Sequence, residues 1–87
     1  MPRDLAALNI LLIREFNQYV FDHPDVLEKI PNGAMVVLQL EGDEEYNTWS
    51  RQVAEAGREP GRPAAYFYIR KLAPPQSRIL EGEVVTI

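Results

Sequence analysis

The 87 residues contain no cysteine and a single histidine, His23. The first absence excludes a disulfide framework, a thiolate nucleophile and a cysteine zinc site. The second leaves His23 without a companion for metal binding or acid–base work. Such chemistry needs several groups converging on one point, so the residue reads as the joint between two helices. Long apolar runs are missing too, and no stretch approaches the roughly 20 residues that cross a bilayer. The opening Met1-Pro2-Arg3-Asp4 and the short apolar cluster Ile10 to Ile13 make no secretory leader. A cytoplasmic protein is expected. Net charge is −4, which argues against nucleic acid as the main partner.

What is present is ordinary globular composition, with 46% hydrophobic and 25% charged residues. The length suits one domain over residues 1–87. A chain this short buries only about 60–65% of its unfolded surface, so a monomer needs good packing.

The organising stretch is Ala34 to Leu40. It is nearly continuous in apolar residues, with β-branched Val36 and Val37 inside it. A run of this kind suits a central strand covered on both faces. Pro31-Asn32-Gly33 and Glu41-Gly42-Asp43 bound it as turns. Before it, Asp4 to Asp22 carries Leu5, Leu8, Leu12, Phe16, Tyr19 and Val20 at helical spacing, with Asp4 as N-cap and Pro24 as terminator. Asn9 interrupts this stripe. A polar group that binds a ligand is one reading, and a buried amide bonded to a neighbouring backbone is the favoured one. His23 to Ile30 makes one or two helical turns with Pro24 at the first position.

After the strand, Glu44 to Ala56 reads as a helix. Asp43 is its N-cap, Glu44 and Glu45 suit the positive end of its dipole, and Gly57 is its C-cap. Tyr46, Trp49, Val53 and Ala56 form its inward stripe. Gly57 to Pro63 is a turn-rich loop. It precedes a strand, the reverse of a phosphate loop. Ala64 to Arg70 is the second strand, with Tyr66, Tyr68 and Arg70 on one face and Ala65, Phe67 and Ile69 on the other. Strand, helix, strand implies a parallel pair. Leu72 to Ser77 is extended linker. Ile79 to Ile87 is a candidate third strand, weakened by Glu81, Gly82 and Glu83, that would pair within the chain or across a dimer. The fold class is therefore α/β, a small domain ordered α-(short α)-β-α-β with an optional third strand and a parallel central pair.

Taken together, Glu15-Phe16, Tyr19, His23-Pro24, Ile30-Pro31, Gly33-Ala34 and Val36-Val37-Leu38, followed by Gly61-Arg62-Pro63, Ile69, Lys71-Leu72, Pro74 and Ser77-Arg78, resemble a family of small prokaryotic proteins of unknown function. The resemblance covers nearly the whole chain and implies no activity, cofactor or catalytic residue.

Two groups of residues stand out as candidate sites. Ile10, Leu11 and Phe21 fall outside the apolar stripe of the first helix, which points to a partner surface. Glu41, Asp43, Arg70 and Lys71 fall at the carboxyl ends of the strands, where open α/β sheets bind ligands. Oxygen ligands there could take Mg²⁺ or Ca²⁺, but capping and ion pairing explain the same charges, and no metal or cofactor is expected. Tyr66 and Tyr68 between Arg62 and Arg70 could stack bases, against the acidic balance of the chain. No catalytic constellation is present in the sequence. The favoured reading is a non-catalytic interaction or oligomerisation module, as a homodimer or with another protein. The alternative is a small-ligand or nucleotide-binding domain using the strand ends.

Overall fold

A computed structural model describes residues 3–87; Met1 and Pro2, the first two residues of the leader reading, lie outside them. The chain runs α1 (Leu5–Asp22), α2 (Pro24–Glu28), β1 (Met35–Leu40), α3 (Glu44–Gly57) and β2 (Ala64–Ile69). The fold is α/β. β1 and β2 pair in parallel, from Met35 opposite Ala64 to Leu40 opposite Ile69.

The element ends follow from local chemistry. The Asp4 carboxylate accepts the Ala7 N–H at 2.9 Å and starts α1. His23 closes it, donating its backbone N–H to the Tyr19 carbonyl at 2.9 Å. Its ring stacks on Tyr19 with centroids 4.1 Å apart, so His23 serves as the helix joint. Pro24 then opens α2, where its missing N–H costs nothing. Gly33 and Gly42 flank β1 with φ of 77° and 90°. An L side chain is strained there, which fixes where the strand can begin and end.

The core lies on one face of the sheet. Val36, Leu38 and Leu40 share that face with Ala65, Phe67 and Ile69, because side chains alternate along a strand. Leu12, Leu38, Tyr46 and Ile69 are buried, with Leu5, Leu8, Phe16, Trp49 and Phe67 packed around them. Phe16 meets Phe67 at 4.9 Å between centroids, tilted by 58°. Burying each such side chain contributes roughly 1.5–3 kcal/mol. On the opposite face Val37 and Gln39 are buried, so β1 is covered on both sides. Tyr66 and Tyr68 of β2 are half exposed.

Three expectations are corrected. Ile79 to Ile87 forms no strand, and the sheet has two strands among the described residues. Glu81-Gly82-Glu83 breaks the alternation, and the segment leaves the body with Leu80 and Ile87 fully exposed. The inward stripe of α3 ends at Trp49: Val53 and Ala56 are exposed, beyond the reach of the sheet. Asn9 finds a side chain instead of a neighbouring backbone group, accepting the Tyr46 hydroxyl proton at 2.7 Å.

Residues 70–87 follow β2 without helix or strand. They stretch the molecule to 60 × 38 × 25 Å and give it a radius of gyration of 16.7 Å, against about 12 Å for a compact domain of this length.

Candidate functional site

The two rims of the sheet are treated differently. In a parallel pair, backbone groups of alternate residues point to opposite sides. Met35 and Glu41 donate toward β2, to Pro63 at 2.9 Å and Ile69 at 3.0 Å. Val36, Leu38 and Leu40 therefore turn outward, and α3 meets them. The Asn47 side chain accepts the Leu40 N–H at 2.6 Å and donates to the Leu40 carbonyl at 2.8 Å. Ser50 donates its hydroxyl to the Leu38 carbonyl at 2.9 Å. Two side chains thus stand in for a neighbouring strand. Gln39, buried beside them, accepts from Arg51 at 2.9 Å.

The far rim of β2 has no such cover. Since Ile69 faces β1, the N–H and C=O groups of Tyr66 and Tyr68 point away from it, and they have no hydrogen-bond partner among the described residues. Along this rim runs a groove of about 440 Å³, walled by Glu15, Phe16, Gln18, Tyr19 and Asp22 of α1 and floored by residues 67–73. Consecutive residues of β2 line it and none of β1 does. It therefore lies beside the carboxyl half of β2, between that strand and α1.

A second groove of about 480 Å³ lies on α1 itself, lined by Ile10, Ile13, Arg14, Asn17, Gln18 and Phe21. Ile10 and Phe21 thus share one surface, with Phe21 83% exposed. Leu11 is half exposed and does not line that groove.

Residues 4–82 match DUF5647, described as a family of unknown function. The chain belongs to this family. No curated protein and no solved structure matches it. The DUF5647 span takes in every helix and both strands, so the sealed rim, the bare rim and the α1 groove all fall on family-matched sequence apart from the segment beyond residue 82.

The strand-end charges of this DUF5647 chain divide into separate contacts. Glu41 and Arg70 pair at 3.5 Å across the ends of β1 and β2, and Arg70 lies over the Tyr68 ring at 5.3 Å. Lys71 lines the groove beside β2. Asp43 is occupied elsewhere. It caps α3 through the Tyr46 N–H at 3.1 Å and takes both ends of the Arg3 guanidinium, at 3.0 and 2.6 Å. Arg3 also reaches Glu45 at 3.0 Å. Among the described residues no cluster of His, Asp and Glu is placed to hold a metal ion.

The Arg3 guanidinium, and after it the Tyr46 N–H, hold the Asp43 carboxyl below its ordinary value. A lowered carboxyl pKa adds stability that is present above the unfolded value, about 3.9, and is lost as pH falls through the folded one. Asp43→Asn keeps a capping oxygen and removes the charge. Thermal melts from pH 2 to 7 should therefore fall less steeply below about pH 4 in this variant than in the parent. Equal acid slopes would mean that the contact with Arg3 has no thermodynamic weight.

Proposed function

We propose that this chain is a non-catalytic interaction module that works as a homodimer in the cytoplasm. One observation carries the reading. The chain exposes 7421 Å², against about 5,200 Å² for a folded monomer of its mass. The excess of about 2,200 Å² lies within the range that each partner of an obligate dimer buries, roughly 1,000–2,500 Å². Much of it is apolar: Ile10, Leu11 and Phe21 on α1, and Ile79, Leu80, Val84, Val85 and Ile87 after β2. A monomer keeps that surface in water at a cost of about 25 cal/mol for each Å² of apolar area. No helix among the described residues is long and apolar enough to cross a membrane.

The helix surface is tested by Ile10→Lys/Phe21→Lys. Light scattering should give twice the chain mass for the parent and a mixture shifted at least tenfold toward monomer for the variant. Both side chains lie outside the core, so circular dichroism should be unchanged. A parent that stays monomeric at high micromolar concentration would overturn the homodimer.

The groove beside β2 favours a second reading, a small-ligand or nucleotide site with Arg70 and Lys71 as anion contacts and Phe16, Tyr19 and Phe67 as apolar walls. Ligand-induced stabilisation that survives the helix double variant and disappears in Arg70→Ala would favour it.

A further inference from the structure

We infer that residues 83–87 of one copy dock as a third strand on the bare rim of β2 in a second copy, inside the groove under α1. The inference rests on the reading of the chain as a self-associating module and names a contact between the copies beside the α1 surface of Ile10 and Phe21.

Four observations on the two surfaces fit together. The groove lies at the carboxyl half of the only strand rim that the fold leaves without side-chain cover among the described residues; Tyr68 lines it, and the backbone groups of Tyr66 continue the same bare rim. A strand added there completes those hydrogen bonds and removes an edge that otherwise invites uncontrolled pairing. Residues 84–87, Val-Val-Thr-Ile, are all β-branched, the composition that fits a pleated, half-buried surface. Strand alternation puts Val85 and Ile87 on one face, suited to Phe16, Tyr19 and Phe67, and Val84 and Thr86 on the other, alongside Tyr66 and Tyr68.

Charge fits as well. Glu81 and Glu83 on the incoming segment complement Arg70 and Lys71 at the groove, and Arg78 complements Glu15 and Asp22 on its α1 wall. Finally, Pro74 and Pro75 follow the groove directly. Proline disfavours helical backbone in the residue before it, so this pair holds the chain extended at the point where it would have to reverse to fill its own groove. The segment instead lies away from the body, with Val84 and Val85 exposed, where a second copy can take it. Reciprocal exchange of two such arms also accounts for the scale of the excess surface.

The test uses the full chain and its lack of cysteine. Tyr68→Cys chains are mixed with Val84→Cys or Val85→Cys chains and treated with a short bis-maleimide. Crosslinked dimers containing one chain of each kind are expected. In parallel, Val84→Pro/Val85→Pro removes N–H groups on both sides of the incoming strand. It should shift the dimer at least tenfold toward monomer with circular dichroism unchanged, since the segment is outside the core.

A parent that is monomeric would sink the self-association reading and this inference together. A dimer that resists the proline pair but dissociates in Ile10→Lys/Phe21→Lys would overturn the strand docking alone. Crosslinks confined to Tyr68→Cys chains would mean that two β2 rims face each other, which also overturns it. Crosslinking only within a chain carrying Tyr68→Cys and Val85→Cys together, with no mixed dimers, would mean that the arm folds back on its own sheet.

Discussion

Tyr46→Ala should lower stability by about 3–5 kcal/mol, the cost of truncating a buried aromatic side chain. A chain of 87 residues has only about 4–13 kcal/mol in hand, so the variant should lose a large share of its stability and melt well below the parent. Tyr46 is fully buried between α1 and the sheet and belongs to the core with Leu12, Leu38 and Ile69. Its ring also lies 6.1 Å from that of Trp49. Burial pushes its hydroxyl above the ordinary tyrosine value, so it stays a proton donor to Asn9 across the working pH range. Tyr46→Phe separates the two roles. It keeps the volume, loses one hydrogen bond to a half-buried partner, and should cost about 0.5–1.5 kcal/mol. Urea titrations of both variants give the comparison. Equal losses would mean that the hydroxyl contact, and not the ring, holds α1 to α3.

Asn47→Ala should cost about 1–3 kcal/mol, because it strands the Leu40 N–H, while the Leu40 carbonyl keeps the Asp43 N–H at 3.1 Å. Leu40 donates to and accepts from the same carboxamide, and Asn47 is itself buried, so water is poorly placed to replace it. The variant should also associate in a concentration-dependent way, since the rim of β1 is then open at Leu40, with Ser50 still covering Leu38. Asn47→Asp tests the geometry: the carboxylate still accepts the Leu40 N–H but sets a charged oxygen against the Leu40 carbonyl, so part of the loss should persist. Denaturation curves give the energy and light scattering gives the association. If Asn47→Ala stayed monodisperse under conditions where the parent does, side-chain cover of the rim would not be what keeps β1 from pairing.

The helices and strands were legible wherever a local signal marked an end: Asp4 and Asp43 as caps, Pro24 as a stop, Gly33 and Gly42 around β1. The parallel pair followed from the order of elements. The third strand was not legible, because Ile79 to Ile87 has the composition of a strand while pairing depends on what lies beside it. Asn47 and Ser50 were missed for a similar reason. On a helix projection they sit on the flank between Tyr46 and Trp49 and the solvent, and nothing local says that a strand rim comes to meet them. Arg3 and Asp43 are 40 positions apart, and that clamp needed coordinates. Ile10 and Phe21, apolar residues outside the buried stripe of α1, share one groove. Leu11, also outside the stripe, falls outside that groove, since one position along a helix turns the side chain by about 100°.

A sheet that is sealed along one rim has one free edge. In step-growth polymerisation a unit with a single reactive end can join another and then stop, whereas a unit with two ends makes chains. Asn47 and Ser50 cap one of the two ends of this sheet. They thereby remove one of the two edges along which the sheet could be extended, and three hydrogen bonds from one helix hold that edge closed.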